Sequence, residues 1–318
     1  MDYIHQKLNW PNFIWNSFEF VNQLSEARNL QGRLIGKMEF LGFELRDEAL
    51  LETLTLDVLK SAEIEGELLN PEQVRSSIAQ RLGMKFAGTI MSDRNVDGMV
   101  DMMIDATSNC FSPLTKERLY DWHAALFPMG RSGIFKITVA DWRKDTYGKM
   151  QVVSGAAGRE NVHFQAPDAD KIEMEMNRFL HWFNEENKID LVIKAAIAHL
   201  WFVTIHPFQD GNGRITRALT DMLLARSDKS KQRFYSMSAQ IRIERNEYYD
   251  ILEKTQKGDL DITEWIKWFL NCFINALNAT EKILTRVMVK AEFWNKHSKT
   301  IIHERQRKVL NKLLDGFE

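Results

Sequence analysis

Residues 206–214 read His-Pro-Phe-Gln-Asp-Gly-Asn-Gly-Arg, and this nonapeptide constrains the chain more than any other feature. It overlaps the end of the most apolar run of the sequence, Leu191 to Phe208. Lys194, His199 and His206 interrupt that run, so it reads as a buried core helix and not as a membrane span. Pro207 cannot continue the helix. The pattern predicts a helix over 190–204, a turn over 208–212 and a new helix from about Gly213. The N–H groups at that second helix start lack partners and sit at the positive end of the helix dipole. Gly211 and Gly213 let the backbone approach an anion with no Cβ in the way.

The stretch resembles the signature of the Fic (Fido) family, His-x-Phe-x-(Asp/Glu)-Gly-Asn-(Gly/Lys)-Arg, and Arg217 extends it. The resemblance implies a mainly α fold, a Fic-type helical bundle with a small β-hairpin flap. It implies a protein adenylyltransferase that moves AMP from ATP, with Mg²⁺, to a Ser, Thr or Tyr hydroxyl of a target protein. His206 would accept the hydroxyl proton in its neutral form. Asp210 would hold Mg²⁺ as a hard oxygen ligand. Phe208, Gln209, Gly211, Asn212 and Gly213 would form the phosphate-binding turn. Asn212 would donate to an α-phosphate oxygen, and Arg214 and Arg217 would neutralise the outer phosphates. Kinase-like members carry Lys where Gly213 stands, so the glycine favours AMP transfer; phosphocholine transfer remains open.

A second segment, Ser61-Ala62-Glu63-Ile64-Glu65-Gly66, resembles the inhibitory motif of self-inhibited members, (Ser/Thr)-x-x-x-Glu-(Gly/Asn). It would place Ser61, Glu65 and Gly66 at the site, with Glu65 on Arg217. Glu63, Glu65 and Glu67 cluster at a helix C-terminus, where negative charge is unfavourable. That local conflict points to a task for Glu65. Some self-inhibited relatives remove AMP instead, with the glutamate orienting water. Tyr248, Tyr249 and Gln256 resemble the adenine-side segment, Gln256 standing where relatives often have Asn. A hairpin over about 150–164 matches the place of the flap, with Val152, Val153, Val162 and Phe164 as candidate contacts to an extended target segment.

Helix formers dominate the rest; Pro is scarce at 6 and Gly is 16 of 318 residues. Helices are expected over 15–43, 47–65, 71–84, 93–110, 116–127, 168–187, 213–227, 244–257 and 261–282, and short strands over 134–139, 150–153 and 161–164. The expected organisation is an N-terminal helical region over 1–110 that includes the inhibitory helix (about 47–66), a Fic core over 111–280 and a helical tail over 281–318. The tail reads either as the start of a winged helix or as a plain C-terminal helix. Net charge is −2, which gives no bulk reason to expect nucleic acid. The basic tail residues Arg286, Lys290, Lys296, Lys299, Arg305, Arg307 and Lys308 carry the competing reading of a nucleic-acid-binding regulator. Two cysteines, Cys110 and Cys272, and a start without a basic–apolar leader fit a cytoplasmic protein. A homodimer is expected only by analogy with relatives.

Overall fold

The computed structural model describes residues 2–39, 43–84, 90–146, 148–155, 159, 161–186, 188–297, 300 and 302–314. The helices are α1 (Val21–Glu39), α2 (Phe43–Ile64), α3 (Pro71–Arg81), α4 (Arg94–Ser108), α5 (Lys116–Leu126), α6 (Ile172–Asn184), α7 (Leu191–Ile205), α8 (Asn212–Asp228), α9 (Met237–Ile243), α10 (Arg245–Gln256), α11 (Thr263–Lys296) and α12 (Glu304–Leu314). Two antiparallel hairpins complete the described fold: β1 (Arg131–Ser132) with β2 (Phe135–Lys136), and β3 (Gln151–Ser154) with β4 (Asn161–Gln165).

The centre is α7. From Val192 to Ile205 every residue is buried, as expected of a helix that is apolar all round. Helix α8 packs along it, α4 packs against α5 and α8, α1 against α11, and α2 against α9. Capping residues set several boundaries. Asp93, Thr115 and Asp190 accept backbone N–H groups at the starts of α4, α5 and α7, satisfying donors that have no intrahelical partner.

The structure differs from expectation in four places. The helix expected from residue 15 begins at Val21. Asn16 caps a separate 3-10 turn, Ser17–Glu19, and this turn leaves Phe18 91% exposed. Helix α9, opened by a Ser236 cap, was not expected at all. Helix α11 runs unbroken through residue 280 to Lys296, so the expected core–tail boundary lies inside it. Of the run 134–139, only Phe135–Lys136 is strand. In α12, Val309 and Leu313 are exposed. Lys299, residues 315–318 and the hairpin turn 156–158 lie outside the described residues.

One buried cluster fixes α2 against the core. Asp57, fully buried, accepts hydrogen bonds from Arg233 Nη2 at 2.6 Å, Ser236 Oγ at 2.5 Å and the Ser238 N–H at 3.2 Å. Arg233 also lies 2.6 Å from Asp221 on α8. Burial pushes the Asp57 carboxyl up, but the Arg233 charge and these hydrogen bonds outweigh it, so Asp57 ends below its ordinary value. The cluster therefore holds the C-terminal half of α2 in register with α8.

Candidate active site

His206 closes α7 in the left-handed backbone region, with φ +52°. A non-glycine residue there costs on the order of 1–2 kcal/mol, and the surrounding contacts hold it. Its N–H donates to Phe202 O at 3.0 Å. The ring nitrogen Nδ1 lies 3.2 Å from Val203 O. A carbonyl only accepts, so the proton sits on Nδ1 and Nε2 is left as the acceptor. Burial lowers the His206 pKa to about 4, with the Val203 carbonyl opposing and the Arg143 charge assisting. The ring is neutral at physiological pH and partly exposed.

The turn after His206 is shaped from within and from two outside segments. Phe208 is fully buried and stacks on His123 on α5, centroids 4.2 Å apart and planes 9° apart. Asn212 spends its carboxamide on Phe208, accepting from its N–H at 2.9 Å and donating to its carbonyl at 2.8 Å. Both side chains thus brace the turn from within. Gln209 Oε1 accepts from the Thr138 N–H at 2.6 Å. His123 accepts at Nδ1 from the Ala140 N–H and donates from Nε2 to Asp210 O, both at 3.2 Å. Arg143 donates from Nε to His206 O at 2.8 Å, and its N–H donates to Pro207 O at 2.9 Å. Sequence reading missed His123, Arg143 and Thr138, because they come from segments with no spacing relation to the motif.

Asp210 keeps 40% of its side chain exposed. Oδ2 accepts from Ser132 Oγ, and Oδ1 accepts from the Gly211 N–H at 2.5 Å. Among the described residues no group of three or more His, Cys, Asp or Glu forms a metal cage. A single accessible carboxylate fits Mg²⁺, which usually takes one or two carboxylates and fills its octahedron with water and substrate phosphates.

Helix α8 starts at Asn212 after Gly211, φ +82°. Its two motif arginines are buried, Arg214 at 4% and Arg217 at 2% exposure. The end of α2 meets them. Arg217 donates from Nε to Ser61 Oγ and from Nη2 to Ser61 O and Glu65 Oε1, each at 2.8 Å. Glu67 Oε2 lies 2.9 Å from Arg214 Nη1. Gly66, φ +83°, makes this possible. The Glu67 N–H returns to Ala62 O and the Gly66 N–H to Glu63 O, both at 3.0 Å, the pattern that ends a helix on a left-handed glycine. Glu63 pairs with Lys60 and Arg242, and the Lys60 hydrogen bond leads in holding its carboxyl low. The acidic helix end is therefore met by cations, which resolves the unfavourable dipole seen in the sequence.

The adenine-side residues separate. Tyr248 is buried and its hydroxyl contacts His199 Nε2 at 3.0 Å. Gln256 is buried and donates to Thr204 Oγ1 at 3.1 Å. Both pack into the core, leaving Tyr249, 38% exposed, as the accessible ring. His199 is a core histidine, also bonded to Thr220 Oγ1 at 2.9 Å. In the hairpin, Val152 pairs with Phe164 and Val153 with Val162. Val152 and Val153 are exposed, Val162 is half-buried, and Phe164 is buried edge-on to Tyr3 and His5. His163 is bonded to Glu253 Oε2 and Ser154 Oγ, both at 2.6 Å.

Residues 113–224 match the sequence model of the Fic/DOC family. The chain carries a Fic domain. Residues 3–84 match a domain of unknown function, DUF4172. The chain is similar to the protein adenylyltransferase Fic of Drosophila mojavensis, 30% identical over 140 residues, which are 42% of this chain and 26% of that protein. It is 35% identical over 108 residues to the Drosophila grimshawi protein of the same name, covering 33% and 21% of the two chains. The match thus spans about a quarter of the length of these curated relatives. A Fic family protein from Desulfovibrio desulfuricans has the same fold, with TM-score 0.59 and 23% identity over 83% of this chain and 74% of that one. A Fic-domain signaling protein from Bacteroides thetaiotaomicron aligns with TM-score 0.58 and 17% identity, over 82% and 98%. Among the described residues of the Fic-domain chain, no helix is long and apolar enough to cross a membrane.

Proposed function

We propose that this chain transfers AMP from ATP to a hydroxyl group of a target protein, and that Glu65 on Arg217 holds the transfer in check. The observation that carries the reading is the pairing of Arg217 with Glu65 at 2.8 Å beside the glycine-opened start of α8, one turn of chain from a neutral His206 whose Nε2 is a free acceptor. The relatives named as protein adenylyltransferases support the same chemistry.

In this reading the triphosphate lies along the N-terminus of α8, where unpaired N–H groups and two arginines favour negative charge. His206 Nε2 takes the proton of the target hydroxyl. The hydroxyl oxygen bonds to the α-phosphorus, and pyrophosphate leaves with the electron pair of the broken P–O bond. Arg214 and Arg217 hold the charge that builds on the leaving group. Asp210 would hold Mg²⁺, whose contribution is further neutralisation of the phosphates. The exposed strand β3 offers backbone groups for an extended target segment. With Glu65 in place, Arg217 is engaged and cannot meet the outer phosphate.

Incubation with ATP labelled at the α-phosphate tests the reading. Weak self-labelling is expected of the wild type, strong labelling of Glu65→Gly and none of His206→Ala. Equal labelling of all three removes the mechanism.

A further inference from the structure

We propose that Glu65, Gly66 and Glu67 form a single two-carboxylate latch that occupies both motif arginines at once, so that Glu67 is a second blocking group. The proposal rests on Arg214 and Arg217 being a polyphosphate site. Glu65 Oε1 lies 2.8 Å from Arg217 Nη2, and Glu67 Oε2 lies 2.9 Å from Arg214 Nη1. Asp210, the other acid near Arg214, is farther, at 3.7 Å. The closest carboxylate to each arginine therefore comes from the end of α2.

The backbone explains how two teeth face one way. Gly66 in the left-handed region turns the chain back, and the Glu65 and Glu67 N–H groups share one acceptor, Ala62 O, each at 3.0 Å. The two arginines stand three residues apart on α8, roughly 4.5 Å along its axis. Two carboxylates set against them imitate two successive phosphate groups of one ligand. Gly213 completes the fit: a Cβ at that position would stand 2.2 Å from Glu65 Oε1. The first tooth thus rests on bare backbone in the space where a phosphate oxygen would approach.

The two teeth differ in weight. The Glu65 side chain is 32% exposed and that of Glu67 is 49% exposed. Glu65 also has Ser61 beside it on the same arginine. Glu67 therefore adds to the block and does not set it alone. A half-exposed ion pair supports an effect of about two- to fivefold on competing anion affinity.

Calorimetric titration of the full chain with inorganic tripolyphosphate, and separately with Mg-ATP, tests the latch in wild type, Glu65→Gln and Glu67→Gln. Glu67→Gln is expected to tighten both ligands by about two- to fivefold, and Glu65→Gln by more. Wild-type affinity for both ligands in Glu67→Gln, alongside tightening in Glu65→Gln, overturns the latch and leaves AMP transfer standing. Tighter tripolyphosphate binding in Glu67→Gln with no binding of ATP supports the latch and removes the adenylyl-transfer reading.

Discussion

His123→Phe probes the support beneath the motif turn, and its effect follows from the contacts. Phenylalanine keeps a flat ring against Phe208 and removes both ring nitrogens. The Ala140 N–H and the Asp210 carbonyl then lose their partner, two bonds of 3.2 Å each. Ala140 is exposed and Asp210 half-buried, so water partly replaces the lost partner, and the loss is about 1–2 kcal/mol at neutral pH, below the cost for fully buried groups. Acid should shrink that loss. Burial depresses the His123 pKa from 6.5 to about 4. The unfolded chain therefore takes up the proton before the native state does. The stability owed to the neutral ring is complete above pH 6.5 and is lost as pH falls toward 4. At about pH 5 the wild type has lost roughly 2 kcal/mol through this group, about 1.36 kcal/mol per pH unit below 6.5. The variant has no imidazole to titrate there. Urea unfolding of both proteins at about pH 7.5 and about pH 5 measures the two gaps. Groups common to both chains, such as Asp228, raised by burial to about 6, cancel in the comparison. A gap that is absent at neutral pH, or unchanged between the two pH values, refutes the assignment.

Asp57→Ala strips one carboxylate from the fully buried Arg233 and should cost about 3–5 kcal/mol in urea unfolding; a loss under about 1 kcal/mol would show that the cluster does not anchor α2. In the Glu65→Gly background, transfer should stay flat from about pH 8 to about pH 5.5, because His206 keeps its acceptor nitrogen until pH approaches about 4. A rate that declines tenfold per unit below 6.5 would contradict a base that stays neutral to about pH 4.

The parts of this fold that were legible in sequence are those decided locally. Pro207, Gly211 and the apolar run before them dictate the α7–turn–α8 unit. Glu65 is singled out by resemblance to an inhibitory segment, with the helix-dipole conflict as a weaker local sign, and it lies 2.8 Å from Arg217. What was not legible depends on tertiary packing. Nothing in the pattern Tyr248-Tyr249 says which ring turns to the core, nor that Gln256 would be buried beside Thr204. His123 and Arg143 act on the motif from distant segments, so no spacing rule reaches them. Glu67 has no partner visible in the sequence pattern because Arg214, which it meets, lies 147 positions away. The length of α11 was missed because its continuation past residue 280 rests on packing against α1 and α12 and on no local signal that stops it.

Transfer kinetics and nucleotide affinity, measured together on His206→Ala in the Glu65→Gly background, bear most directly on the idea that one imidazole acts on a triphosphate seated at the start of α8. Loss of the base should slow transfer by about 10²–10⁴-fold while the Kd for ATP stays within about threefold. Transfer that survives within about tenfold of its parent, or a Kd that rises in step with the rate loss, would place the chemistry elsewhere.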